Sequence, residues 1–91
     1  MKKRIEFRFS GRVQGVGFRY TACHLASLLG LTGWVYNDWD GSVVMQAQGE
    51  EENLMQMVER LENNDRFIQI EGIEKQELAL EEHELSFEVK Y

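Results

Sequence analysis

The stretch GRVQGVGFRY, residues 11–20, decides how the first half of this 91-residue chain folds. On its N-terminal side, Ile5, Phe7 and Phe9 alternate with charged or polar residues, which indicates a strand with one buried face. On its C-terminal side, apolar residues repeat at helical spacing until Gly30, a residue type that commonly ends a helix. The glycine-rich stretch therefore predicts a turn that leads from a strand directly into a helix.

A hairpin of two strands follows this first helix. The segments LTGWVYND (31–38) and SVVMQAQG (42–49) both alternate between apolar and polar residues, as half-buried strands do. Between them, Asp40 and Gly41 form a dipeptide that favours a tight turn. The sequence thus predicts strands two and three as neighbours in one sheet.

A second helix and a fourth strand come next. The glutamates at 50–52 suit the positive end of a helix, and the apolar spacing that follows predicts a helix ending near Asn63 and Asn64. The segment RFIQIEGIEKQELAL (66–80) then alternates and changes phase across Gly72, as a bulged strand does.

The whole chain, 1–91, is predicted to be a single domain, because a chain of this length supports one modest core. Residues 85–91 alternate cleanly and give a last strand, so the element order is β, α, β, β, α, β, β. This order favours an α+β fold: a ferredoxin-like split βαββαβ sandwich with a fifth C-terminal strand, and with both helices on one face of a mainly antiparallel sheet. The other face is expected to meet water, with Arg4, Arg8 and Arg12 as a solvated or salt-bridged stripe.

The charge and composition limit the partners. A formal net charge of -6 opposes non-specific attraction to nucleic acid or to an anionic membrane, and no apolar run is long enough to span a bilayer. The single Cys23 cannot form an internal disulfide, and no secretion signal opens the chain. We therefore expect a cytoplasmic protein that binds neither nucleic acid nor membrane.

The glycine-rich turn has the chemistry of an anion site. Backbone N–H groups at a helix start lack helical partners, and the helix dipole is positive at the same place. Gly15 and Gly17 allow the backbone to close around a tetrahedral oxyanion, and Arg19 adds a planar group that pairs with two phosphate oxygens. A tight turn followed by a solvated arginine explains the same residues, so both interpretations stay open at this point.

Asn37 is the second polar residue of interest. It ends the second predicted strand and shares a facing with Val35, although asparagine has a low strand propensity. One interpretation is that Asn37 and Asp38 begin the turn of the hairpin, a position where asparagine is common. In the split arrangement, however, this strand end lies near the edge that the first turn overhangs, so we expect the two elements to meet.

The run GRVQGVGFR (11–19) followed by LTGWVYN (31–37) resembles the acylphosphatase family, small enzymes that hydrolyse carboxylic-phosphoric mixed anhydrides. The likeness covers nearly the whole chain and is closest between Gly11 and Val43. The second half agrees in element order and length but carries no motif, and the prolines that the family often has after its second helix are missing.

This resemblance implies hydrolysis of acyl phosphates to carboxylate and orthophosphate by an enzyme that needs neither a metal nor another cofactor. It implies that Arg19 and Asn37 are the catalytic pair, and that a loop holds the phosphate through Gln14, Gly15, Val16, Gly17, Phe18 and Arg19. The expected partners are a small-molecule acyl phosphate and phosphate or sulfate as product or mimic, bound by a monomer. A non-catalytic phosphate-binding or acyl-phosphate-binding module is the alternative. The effect of Asp38 and Asp40, which place negative charge after Asn37, is left open.

Other patterns predict less. Cys23 is expected to be a buried or half-buried helix residue, since the arginine that a cysteine phosphatase places six positions later is absent. His24 and His83 have no partner at metal-ligand spacing and are expected to be solvated. Trp34 and Tyr36 share a strand face and would suit base stacking, but the acidic balance disfavours RNA.

Overall fold

The computed structural model describes residues 1–63 and 67–91. These residues form, in chain order, β1 (Lys2–Arg12), α1 (Phe18–Leu29), β2 (Thr32–Asn37), β3 (Val43–Glu50), α2 (Glu51–Asn63), β4 (Gln69–Leu78) and β5 (Phe87–Val89). The strands make one sheet in the order β4-β1-β3-β2-β5, in which only the pair β2 and β5 is parallel. The predicted ferredoxin-like α+β fold with a fifth C-terminal strand is confirmed.

Both helices pack on the same face of this sheet. On this face, β1 contributes Phe7 and Phe9, which are 2% and 0% exposed. They form one core with the apolar stripes of the two helices, which comprise Phe18, Ala22, Leu25 and Ala26 from α1 and Leu54, Met57 and Leu61 from α2. Each large side chain buried in this way contributes about 2 kcal/mol by leaving water. The apolar faces of the strands and of the two helices therefore pack against each other in a single core.

A β-bulge interrupts the pairing of β1 with β4. Ser10 pairs with Gly72 whereas Gly11 pairs with Ile70, so Glu71 is the extra residue. A Cβ atom at Gly72 would lie only 2.7 Å from the Ser10 hydroxyl oxygen, so a larger residue there would require the Ser10 side chain to move. The bulge predicted from the phase change is thus present, at the end of β1 that leads into the glycine-rich turn.

The face opposite the helices is partly covered, so the expectation that it simply meets water is wrong for one end of the sheet. Residues 79–86 connect β4 and β5, which lie at opposite edges. The backbone N–H of Glu81 donates to Gln48 Oε1 over 2.8 Å, and Gln48 Nε2 donates back to the Glu81 carbonyl over 3.0 Å. Arg4 donates to both carboxylate oxygens of Glu84 over 2.8 and 3.1 Å. As a result, Arg4 and Gln48 are each only 2% exposed.

Some predicted boundaries differ from the observed ones. The last strand was expected to span 85–91 but contains only Phe87–Val89, and Leu85 is 92% exposed. The helix end was predicted near Asn63 and Asn64, and α2 is described as far as Asn63. Asn64 and the predicted start of the fourth strand at Arg66 lie outside the described residues. Within the described part of the chain, neither helix is long and apolar enough to cross a membrane.

Candidate active site

Residues 14–19, here called the cradle loop, connect β1 to the first turn of α1. Gly15 and Gly17 have φ angles of 74° and 81°, a conformation that glycine adopts at little cost. Apart from the adjacent residues, no atom of the described part of the chain lies within 4 Å of a Cβ atom built at either position. Glycine is therefore required by the backbone angle and not by crowding from the protein. Val16, between them, has a negative φ, and such alternation turns successive N–H groups toward one point.

The cradle loop ends at a helix N-terminus that no side chain caps. Gly17 is the N-cap of α1, and the first helical turn contains no acidic residue. Thr21 donates its backbone N–H to the Gly17 carbonyl over 3.0 Å, which closes the first turn of the helix. The N–H groups that precede Thr21 have no helical acceptor, and the helix dipole adds a partial positive charge. This end of α1 has the properties of an anion site.

Two apolar side chains fix the cradle loop to the protein interior. Phe18 is 2% exposed, and its ring centroid lies 5.0 Å from that of Phe9 on β1. Val16 is partly buried and packs against the same core. The sequence marked both residues as members of the loop, but their role as anchors became visible only with the core around them.

Gln14 ties the cradle loop to the end of β2. Its side-chain Nε2 donates to the carbonyl of Asp38 over 2.7 Å and to the carbonyl of Ser42 over 2.8 Å. Both acceptors belong to residues 38–42, here called the β2–β3 turn. The loop and the residue that follows Asn37 are therefore in direct contact, as the split arrangement predicted.

Asn37 is the last residue of β2 and is half-buried. It faces the helix side of the sheet, because Val35 two residues earlier and its cross-strand neighbour Val43 are both 0% exposed in the core. Its Oδ1 atom is buried and accepts no hydrogen bond from the described residues. Leaving such an acceptor unpaired costs about 1 to 3 kcal/mol, so it calls for a partner outside the protein chain.

Arg19 is half-buried in the first turn of α1. Its guanidinium carbon lies 5.3 Å from the ring centroid of Tyr91. Within residues 1–63 and 67–91, it forms no ion pair with a carboxylate. Its five N–H donors are therefore not committed to an internal anion.

The acidic residues of the β2–β3 turn are partly neutralised by Arg8. Its Nη1 atom donates to Asp38 Oδ2 over 2.8 Å, to Asp40 Oδ2 over 3.2 Å and to the Ser42 hydroxyl over 2.6 Å. Hydrogen bonds from Ser42 and the charge of Arg8 hold the pKa of the Asp40 carboxyl below its ordinary value. The sequence placed Arg8 on the polar sheet face but gave no sign of its partners, which lie about thirty residues away.

The remaining candidates do not join this group. Cys23 is half-buried, as predicted, and burial raises the pKa of its thiol, which keeps it a poor nucleophile. His24 is exposed, as expected for a solvated histidine. Among the described residues, no three His, Cys, Asp or Glu side chains come together as a metal site would require.

The fold and this end of the sheet define a class of small α+β proteins with a glycine-rich loop at a helix N-terminus, and comparison with known proteins makes the class specific. The family model for acylphosphatase matches residues 5–89. The acylphosphatase of Clostridium acetobutylicum is 40% identical over 91 residues and covers 100% of both chains. That of Oceanobacillus iheyensis is 39% identical over 90 residues, covering 98% of this chain and 99% of its own. The crystal structure of acylphosphatase from Bacillus subtilis is 36% identical, with a TM-score of 0.90 over 100% of both chains. The chain belongs to the acylphosphatase family.

Proposed function

We propose that this protein hydrolyses acyl phosphates to a carboxylate and orthophosphate, without a metal, with the cradle loop and Arg19 as the phosphate site and Asn37 as the group that positions water. The family membership supports the overall reaction. The observation that carries the residue assignment is the buried Oδ1 of Asn37, which has no partner among residues 1–63 and 67–91, next to a loop whose N-cap makes no side-chain hydrogen bond.

Binding uses the backbone first. The N–H groups of residues 15–19 donate to phosphoryl oxygens at the positive end of α1. Arg19 adds two parallel donors from its planar guanidinium group, which a lysine cannot reproduce. Charge shifts among the phosphoryl oxygens in a loose transition state, and fixed donors stabilise it without reorganising.

The hydrolytic step then needs little further chemistry. Asn37 Oδ1 accepts a hydrogen bond from a water molecule and holds it in line with the bond to the acyl oxygen. The water oxygen forms a new bond to phosphorus while the bond from phosphorus to the acyl oxygen breaks. The electron pair leaves with the carboxylate, and the proton of the water passes to a phosphoryl oxygen. Because the leaving carboxylate has a low pKa, its departure requires neither a strong acid nor a metal ion.

The proposal extends to the cellular setting. A single half-buried thiol suits a reducing compartment, so we propose that the protein acts in the cytoplasm. We also propose that residues 1–91 act as one domain and as a monomer on small-molecule acyl phosphates.

The test is release of orthophosphate from acetyl phosphate in the presence of EDTA, followed by ³¹P NMR. We expect turnover well above the spontaneous rate for the wild type and a loss of about a hundred- to a thousandfold for Arg19→Ala. Orthophosphate binding without turnover by the wild type would instead identify a phosphate-binding module. Turnover that disappears with EDTA and returns with a divalent cation would contradict the metal-independent mechanism.

A further inference from the structure

A hydrogen-bond network runs from Arg8 on β1 through the β2–β3 turn, whose first residue directly follows Asn37. The Asp38 N–H donates to the Ser42 carbonyl over 2.9 Å, and the Gly41 N–H donates to the Asp38 carbonyl over 3.2 Å. The Asp40 carboxylate accepts from both the N–H and the hydroxyl of Ser42, over 2.9 and 2.6 Å. The turn is thus internally bonded, and its first residue is joined by a peptide bond to Asn37.

Arg8 is the point where this network is fixed to the sheet. One nitrogen atom of its guanidinium group contacts side chains of Asp38, Asp40 and Ser42, all within 3.2 Å. Arg8 lies in the middle of β1, where its backbone pairs with Val44 of β3. The arginine therefore links an interior strand of the sheet to the β2–β3 turn.

Arg8 acts from the opposite face of the sheet to Asn37. Its neighbours Phe7 and Phe9 point into the core beneath the helices, so Arg8 points away from them. Asn37 faces the helix side, where the cradle loop lies. The two side chains therefore lie on opposite faces of the sheet, and the side chain of Arg8 is connected to Asn37 through the turn.

We propose that Arg8 is a positioning residue for the hydrolysis: by holding Asp38 it sets the backbone at the end of β2 and thereby the direction of the Asn37 amide. This inference rests on the proposed function, since the amide is taken to hold the attacking water. It also gives the acidic turn a role, because Asp38 accepts the hydrogen bond from Arg8 and is joined by a peptide bond to Asn37.

An electrostatic role for Arg8 is the competing explanation, and the chain allows the two to be separated. Arg8→Gln removes a positive charge from the contact with the turn, whereas Asp38→Ala removes a negative charge from the same contact. A purely electrostatic role would change activity in opposite directions, and the change would weaken at high salt. A positioning role would lower kcat in both variants, independent of salt.

The experiment measures kcat with acetyl phosphate and the inhibition constant of orthophosphate for Arg8→Gln, Asp38→Ala and the double variant. We expect each single variant to lose about ten- to a hundredfold in kcat, the cost of a small misplacement of a catalytic group. The double variant should be no worse than Arg8→Gln alone, because the contact that Asp38→Ala removes is one of those that Arg8→Gln already removes. The inhibition constant measured in high salt should change far less than kcat, since Val16 and Phe18 anchor the cradle loop in the core in addition to the contact of Gln14 with the turn.

Arg12→Gln is the matched control. It removes the same charge from the same strand, and Arg12 is exposed and forms no ion pair within the described residues. We expect its kcat to match the wild type. If Arg8→Gln keeps a normal kcat while only its melting temperature falls, Arg8 is merely structural and the inference is wrong. If Asp38→Ala raises kcat, the role is electrostatic and the inference is equally wrong. A wild type without turnover would reject the proposed function itself, which is a separate outcome.

Discussion

The ring of Tyr91 lies over the guanidinium group of Arg19, with 5.3 Å between the guanidinium carbon and the ring centroid. Strand β5 brings it there, because it runs parallel to β2 and the Lys90 N–H donates to the Val35 carbonyl over 2.8 Å. Asn37 is the last residue of β2, and Tyr91 follows β5, the strand that pairs with β2. An aromatic face attracts a cation without occupying its N–H donors, so the exposed Tyr91 ring favours this position of Arg19 weakly while the donors stay available.

Removing this ring should loosen Arg19. We expect Tyr91→Ala to raise the inhibition constant of orthophosphate about two- to fivefold, which corresponds to the 0.5 to 1 kcal/mol of an exposed cation–π contact. Tyr91→Phe keeps the ring and should bind orthophosphate like the wild type. Equal weakening in both variants would mean that the hydroxyl, and not the ring, matters.

Replacing Arg19 with lysine tests the geometry of its guanidinium group. A lysine keeps the charge but cannot offer two parallel donors to one phosphoryl group. We expect kcat/KM for acetyl phosphate to fall about a hundredfold or more in Arg19→Lys. A value near that of the wild type would show that charge alone suffices and would remove the guanidinium from the mechanism.

Two substitutions at Asn37 separate the positioning of water from the binding of phosphate. Asn37→Ala should lower kcat about a hundredfold and leave orthophosphate inhibition unchanged, because the cradle loop stays intact. Asn37→Asp keeps the shape but adds a charge that repels the dianion, so its inhibition constant should also rise. Normal kcat in Asn37→Ala would assign the water to another group.

The ion pair of Arg4 with Glu84 should make stability depend on pH. Burial alone would raise the pKa of the Glu84 carboxyl, but hydrogen bonds from Arg4 and Thr32 and nearby positive charge hold it below its ordinary value of 4.5. A group whose folded pKa is lowered stabilises the fold above its unfolded pKa and loses that contribution as the pH falls through the folded value. Stability should therefore decline below about pH 4.5.

Glu84→Gln is the variant that isolates this contribution. Arg4 is 2% exposed, so removing its charged partner should cost about 2 kcal/mol in the free energy of unfolding at pH 7. Urea titrations of the wild type and of Glu84→Gln at pH 7 and pH 3.5 measure the free energy of unfolding of each protein at each pH. The difference in the free energy of unfolding between the wild type and Glu84→Gln should be smaller at pH 3.5 than at pH 7. An equal difference at both pH values would mean that the protonation of Glu84 is not coupled to folding.

The sequence predicted the features that depend on local patterns. Alternation marked the strands, the spacing from Phe18 to Leu29 marked α1, and Gly30 marked its end, where it adopts a φ of 68° and donates its N–H to the Ala26 carbonyl. The positive φ angles of Gly15 and Gly17 fit the turn expected from the glycine pattern.

The features that the sequence did not predict join residues far apart in the chain. Arg4 meets Glu84 across eighty positions, Gln14 meets Asp38, and Arg8 meets the same turn. From the sequence alone, a charged residue on a strand is predicted to be solvated, because its partner is identified only in the folded chain. For the same reason, the cover that residues 79–86 place on the polar face could not be read from its unpatterned sequence.

A crystal structure with orthophosphate tests the central claim most directly, namely that the backbone donors of the cradle loop and Arg19 converge on one phosphate next to Asn37. We predict a phosphate ion with its oxygens about 2.7 to 3.1 Å from the loop N–H groups and the guanidinium nitrogens, and a water molecule between phosphorus and the Asn37 amide. Phosphate bound elsewhere, or an Arg19 side chain that points away from the ion in the bound state, would contradict the account.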